Sequence, residues 1–188
     1  LDKGVDQLSE VIKSIKSAPF SRRHVLSLWN ASDLSYQALA CCHGTTIQFN
    51  CRPLTVQQRV DYYQKKNGVE VNVEISGEIP DYITDEDIPK YYLDCMMVQR
   101  SQDHFLGASF NIASYSLLTH MVAQVTNTIP GEFIHTSGDV HCYSNHYEQA
   151  ELQLTREPYP LPEIKLNPKI TNINDFKYED IELVGYQS

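Results

Sequence analysis

Cys42 and His43 form the sharpest chemical feature of the chain. A thiolate is a strong, soft nucleophile, and nearby cations raise its ionised fraction. The alternative is a buried structural cysteine at a strand start, the commoner fate of a free thiol. Arg22 and Arg23 are adjacent, and Arg100 precedes Ser101. Guanidinium forks grip the oxygens of a phosphate monoester, and a hydroxyl adds one bond. A solvated surface pair is the plain alternative for Arg22 and Arg23. His141 and Tyr143 are two apart, so on a strand they share a face. An imidazole beside a phenol could hold a sugar hydroxyl, or both could be ordinary half-buried polar groups. Asn111 follows Gly107-Ala108-Ser109-Phe110. Its carboxamide offers a donor and an acceptor, which suits a pyrimidine edge; equally, Asn is a favoured helix N-cap. His135, His141, Cys142 and His146 match no strong metal spacing, and His141 and Cys142 would face opposite sides of a strand, so no metal is expected. A thiol nucleophile, an anion clamp, a sugar-hydroxyl site and an amide reader together describe an enzyme acting covalently on a nucleotide monophosphate.

Composition narrows the frame for these groups. The chain has 188 residues, 41% of them hydrophobic, which suits one domain with a substantial core. Against 24 Asp and Glu stand 15 Lys and Arg, a net charge of -9. That opposes nucleic acid as a main partner, because a phosphate backbone demands a basic face. Any cluster of arginines must therefore be built locally. The purely apolar runs are only a few residues long, so no membrane-spanning helix is expected. Leu1-Asp2-Lys3-Gly4 does not read as a signal peptide. Five cysteines, an odd number with no CxxC pair, fit free thiols in a reducing, cytoplasmic compartment.

The elements that must position these groups follow from periodicity. Val5, Leu8, Val11, Ile12 and Ile15 predict an amphipathic helix over 5–17, stopped by Pro19. His24–Trp29 reads as a strand buried on both faces, and Thr45–Phe49 as a second strand. Asn30–Ser35 is turn-like. Residues 53–90 carry three prolines and the acidic run Asp81–Asp87, and read as an excursion with a short helix around 55–66. Tyr91–Arg100 returns to strand composition. Ile112–Val125 has few polar residues and predicts a mostly buried helix. Phe133–His135 and Val140–Tyr143 read as two strand pieces, Tyr147–Arg156 as a helix, and Ile164–Leu166 and Ile181–Val184 as late strands. Such alternation implies a mixed α/β domain.

Several stretches carry a resemblance. They include Ser21-Arg22-Arg23, Leu28-Trp29-Asn30, Cys42-His43, Gln99-Arg100-Ser101-x-Asp103 and Phe105-Leu106-Gly107-x-x-Phe110-Asn111-Ile112-Ala113-Ser114-Tyr115. Gly138-Asp139-Val140-His141-x-Tyr143-Ser144-Asn145-His146 and Glu182-Leu183-Val184-Gly185-Tyr186 continue the series. In order and spacing the chain resembles thymidylate synthase over nearly its whole length, apart from 53–90.

The resemblance implies a single α/β (α+β) catalytic domain. A mixed sheet would carry helices on one face and pack its other face on a partner's sheet. Cys42 would attack C6 of deoxyuridylate (dUMP), and C5 would take a one-carbon unit and a hydride from methylenetetrahydrofolate. Arg100 and Ser101 would hold the phosphate, and Arg22 and Arg23 would reach the partner subunit's phosphate in a homodimer. His141 and Tyr143 would bind the 3′-hydroxyl, and Asn111 would read the uracil edge. Asp103 would stand among the substrate-binding residues and also contact the folate ring, with Leu106, Gly107 and Phe110 lining that region. The resemblance also implies further residues upstream, a closing segment after Tyr186, and a surface insertion at 53–90. Cys41 and Ser109 stand where prolines are usual, so a hydroxymethylase that quenches the same intermediate with water is the nearest rival. A noncatalytic nucleotide- or RNA-binding relative is the other.

Overall fold

The computed structural model describes residues 4–31, 44–71 and 88–187. Cys42, His43, the acidic run Asp81–Asp87 and most of Asn30–Ser35 lie outside them. The described elements run α1 (Gln7–Ser17), β1 (Val25–Ser27), β2 (Gly44–Pro53), α2 (Val56–Asn67), β3 (Tyr91–Asp103), α3 (Gly107–Thr126), β4 (Ile129–His141), α4 (Tyr147–Leu154), β5 (Glu163–Leu166) and β6 (Ile181–Val184).

The first four strands form one mixed sheet in the order β1-β2-β3-β4. β1, β2 and β3 pair antiparallel, whereas β3 and β4 pair parallel. A parallel pair needs a crossover, and α3 supplies it. β5 and β6 make a separate antiparallel pair.

Helices α1 and α3 cover one face of the sheet. Val11, Ile12 and Ile15 of α1 and Val122, Ala123 and Val125 of α3 meet Ile47, Phe49, Leu93, Cys95 and Met97. Cross-strand partners Phe49 with Cys95 and Ile47 with Met97 place these side chains in facing rows. Full burial of Ile47, Phe49, Leu93 and Met97 contributes about 1.5–3 kcal/mol each. The start of α1 is fixed by Asp6, whose carboxylate accepts from the Ser9 amide at 3.1 Å.

Three expectations change. The strand read as His24–Trp29 is only Val25–Ser27, with Leu26 buried and its neighbours exposed. It is the last strand of the sheet and has one covered face, so apolar content on both sides does not imply double burial. The two pieces around 133–135 and 140–143 are one strand, β4, that ends at His141. Gly138 and Asp139 are poor strand formers, but pairing with β3 carries them through. The helix read as mostly buried is buried chiefly in its second half: Thr119, Val122, Ala123, Val125 and Thr126 are covered, whereas Phe110 and Ile112 are 74% and 44% exposed. In its first half Ala108 is buried and Tyr115 packs on the core, while Phe110 and Ile112 turn outward.

Residues 54–90 join β2 to β3. Thr55 and Gln58 close a capping box at the start of α2, and Gly68, at φ 67°, ends it in the left-handed conformation. Val60, Val71 and Ile88 form a small core of their own. A cavity of about 380 Å³ separates α2 from the far half of α3, with Tyr62, Lys66, His120 and Gln124 in its wall. His120 and Gln124 stand nine and thirteen residues along α3 from Asn111, or roughly 14–20 Å at helical rise.

Candidate functional site

Because β3 and β4 are parallel, their carboxyl ends share one edge of the sheet, and α3 starts there as well. The His104 amide donates to the His141 carbonyl at 2.9 Å and ties the two strand ends together. In register, Ser101 pairs with Asp139 and Asp103 with His141. Gly138 permits the close approach: a Cβ there would lie 2.8 Å from the Arg100 carbonyl oxygen. Arg100, Ser101, Asp103, Leu106, Gly107, Phe110, Asn111, His141 and Tyr143 therefore gather at one edge.

Their settings differ. The Arg100 side chain is exposed, with its guanidinium carbon 5.9 Å from the Trp29 ring centre. Ser101 and Asp103 are buried. The Asp103 carboxylate accepts from the Leu106 amide at 3.3 Å, holding the turn into α3. Leu106 and Phe110 present open apolar surface. Tyr143 lies past the end of β4, so strand alternation does not pair it with His141. The turn brings the two rings together all the same, edge to face at 5.2 Å. Tyr143 also meets His146 at 5.8 Å, and Phe105 meets His146 at 5.5 Å.

Asn111 is not the helix cap. It sits within the second turn of α3, whose N-cap position is Leu106. Its Oδ1 accepts from Gln99 Nε2 at 3.2 Å. Gln99 is fully buried and belongs to a network that the sequence reading missed. Its Nε2 also donates to the Ser101 carbonyl at 3.0 Å, and its Oε1 lies 2.8 Å from His135 Nε2. Ser137 Oγ donates to Gln102 Oε1 and lies 3.2 Å from His135 Nε2. The signal was present: Leu93, Cys95 and Met97 set a buried alternation along β3, and the next position in it is Gln99. A buried amide in an apolar row must have partners. Burial holds the His135 imidazole below its ordinary pKa.

Arg22 and Arg23 are not brought to this edge. β1 runs in the same sense as β3, and Val25 lies level with Gln48 and so with Met96. Arg23 precedes Val25 and Arg100 follows Met96, which sets them roughly 20 Å apart along the strands. Both arginines are exposed.

Two described thiols are poor nucleophiles. Burial, and then the Asp94 carboxylate, push the Cys51 thiol up to about 11, and burial raises Cys95 as well. Among the described residues no three His, Cys, Asp or Glu side chains form a metal-holding group, and His135 is engaged with Gln99. No described helix is long and apolar enough to cross a membrane.

The edge thus joins a guanidinium, a buried hydroxyl, a His–Tyr pair, a carboxamide of fixed orientation and an apolar lip beside a carboxylate. Compared with models of known families, the chain matches the one described as thymidylate synthase over residues 1–188.

Proposed function

Since the chain belongs to the thymidylate synthase family, we propose that it converts dUMP to thymidylate, with methylenetetrahydrofolate as donor of one carbon and a hydride. The observation that supports this most is the shared edge of β3, β4 and α3, which carries a group for each part of a nucleotide. Arg100 and Ser101 face the phosphate. His141 and Tyr143 take the 3′-hydroxyl. Asn111 reads the base. Cys42 precedes Gly44 by two residues, and Gly44 pairs with Gln99 beside this edge.

The Cys42 thiolate adds to C6 of uracil. The C5–C6 π pair moves toward O4, and C5 becomes the nucleophile that receives the one-carbon unit. Loss of the C5 proton and expulsion of the thiolate restore the C5–C6 double bond. Methylenetetrahydrofolate supplies the one-carbon unit and the hydride, and dihydrofolate is left. The residues present fit a folate: Leu106 and Phe110 offer an apolar platform, 48% and 74% exposed, next to the Asp103 carboxylate, which can accept from ring N–H groups.

The active form in this reading is a homodimer. The sheet face away from α1 and α3 carries Val25, Ile134 and Val140, all exposed. A second copy on that face would bring its Arg22 and Arg23 to the phosphate that they cannot reach within their own chain.

The test incubates the protein with dUMP and methylenetetrahydrofolate, follows dihydrofolate absorbance and weighs the nucleotide. Thymidylate with equimolar dihydrofolate is expected. Hydroxymethyldeoxyuridylate without dihydrofolate would replace the synthase reading with the hydroxymethylase. No product, together with no Cys42 adduct to 5-fluorodeoxyuridylate by mass spectrometry, would overturn the covalent reading.

A further inference from the structure

We propose that Trp29 is a positioning residue for the phosphate of the nucleotide, holding the Arg100 guanidinium over its indole face while the N–H donors of that group stay unspent. The inference rests on the reading of Arg100 as a phosphate-binding residue.

An exposed arginine grips a phosphate poorly unless something orders it first. Its long stem sweeps many rotamers, and the ligand must freeze them. A carboxylate could order it, but would occupy its donors and offset its charge. Arg52 shows that outcome in the same sheet. Its guanidinium carbon lies 4.7 Å from the Tyr92 ring centre, and its Nε and a terminal nitrogen donate to the two Asp94 oxygens, each at 3.1 Å. Arg100 is held differently. Its guanidinium carbon lies over the Trp29 ring, 5.9 Å from the centre, and among the described residues its side chain makes no hydrogen bond or ion pair. An aromatic face attracts a cation through its quadrupole and takes up none of the in-plane N–H groups. Both the fork of donors and the charge therefore remain for an anion.

A short ladder of bonds sets Trp29 opposite Arg100. The pairing of β2 with β3 is irregular at Thr45: Gly44 pairs with Gln99 and Thr46 with Val98, which leaves Thr45 as the extra residue. The Thr45 carbonyl accepts from the Leu28 amide at 2.9 Å, one step past the last β1 pair, Ser27 with Thr46. Thr45 Oγ1 donates to the Val98 carbonyl at 3.0 Å. Trp29 follows Leu28, and Arg100 stands two residues after Val98. The bulge thus ties the backbone beside Trp29 to the strand that carries Arg100. Because β1 and β3 run in the same sense, both residues emerge at the site edge.

The experiment measures binding of dUMP and of deoxyuridine to the intact protein, to Trp29→Leu, which removes the ring, and to Trp29→Phe, which keeps a smaller one. The advantage of dUMP over deoxyuridine should fall about two- to fivefold in Trp29→Leu, the worth of one exposed cation–π contact, and be largely kept in Trp29→Phe. Deoxyuridine should bind all three alike. Trp29 is the sole tryptophan of the chain, so its emission reports on this contact directly. In the unsubstituted protein dUMP should change that emission and deoxyuridine should not. An undiminished advantage in a folded Trp29→Leu, an equal loss for both ligands, or an equal emission change with deoxyuridine would overturn the proposal. If the unsubstituted protein shows no preference for dUMP, the phosphate reading of Arg100 fails instead. The Arg100 side-chain proton signals then still decide the stacking: the indole should move them upfield, and Trp29→Leu should return them. Signals that do not move would overturn it.

Discussion

Replacing Gly138 by alanine puts a methyl group where β3 and β4 lie closest. The new Cβ would stand 2.8 Å from the Arg100 carbonyl oxygen, 3.6 Å from its carbonyl carbon and 3.7 Å from the Gln99 carbonyl oxygen. All three are backbone atoms, so no side chain can swing away. Restoring an ordinary contact of 3.4 Å requires about 0.6 Å of separation at that register. Overpacking of this kind costs about 1–3 kcal/mol. For a chain of this length that lowers the melting temperature by roughly 3–10 °C. The displacement falls between Ser101 with Asp139 on one side and Gln99 with Ser137 on the other. Misplacing a substrate-holding group by 1 Å can cost about a hundredfold, so this shift should lower kcat/KM about tenfold. Gly131→Ala is the control. Its Cβ would meet the Asp94 carboxylate and the Leu93 carbonyl at the other end of β4. Calorimetry and the binding of dUMP against deoxyuridine separate the two variants. Both should melt earlier, but only Gly138→Ala should lose part of the advantage of the nucleotide over the nucleoside. Unaltered phosphate dependence in Gly138→Ala would refute the placement of Arg100 and Ser101 at the phosphate.

Other perturbations probe the core and the thiols. His24 is fully buried with both ring nitrogens unpartnered, so His24→Leu should stabilise the fold by about 1–2 kcal/mol; a lower melting temperature would contradict the burial argument. Burial holds the imidazoles of His120 and His135 below the ordinary 6.5, so unfolded chains bind their protons first. Stability should therefore rise with pH through the region just below 6.5 and be lost as pH falls, and His120→Gln should flatten that slope in melting curves. Alkylation at pH 8 followed by peptide mapping should leave Cys51 and Cys95 unmodified in the folded protein, because burial raises both thiols, and should label Cys42. A label on Cys51 would contradict the raised pKa of its half-buried thiol.

Much of this architecture was legible from periodicity, and the failures have physical causes. The α1 pattern, the short helix after Pro53 and the final strand pair all declare themselves locally, through caps and alternation. β4 does not declare itself whole, since Gly138 and Asp139 interrupt its strand-like residues and are held in the strand by β3 beside them. Asn111 taken alone reads first as a helix cap, and the placement of the α3 start at Leu106 removes that reading. The exposed half of α3 was misread because composition reports what a segment can bury, not what is there to cover it. The contact between Gln99 and His135 was passed over because a polar side chain in a strand is ordinary until its neighbours are known to be dry.

The site edge draws on one continuous stretch, Tyr91 to His146, except for Cys42 and the paired arginines. Within it β3 and β4, the two longest strands, meet through a crossover of only two dozen residues. β3 lies between β2 and β4, and its buried row Leu93, Cys95, Met97 and Gln99 is covered by α3. The β3–α3–β4 unit is thus the natural last part to open, and its central amides should exchange hydrogen only through global unfolding. Substrate grips at its end are carried on the slowest-opening part of the molecule. Exchange that is faster elsewhere, in α2 or β1, leaves them in place.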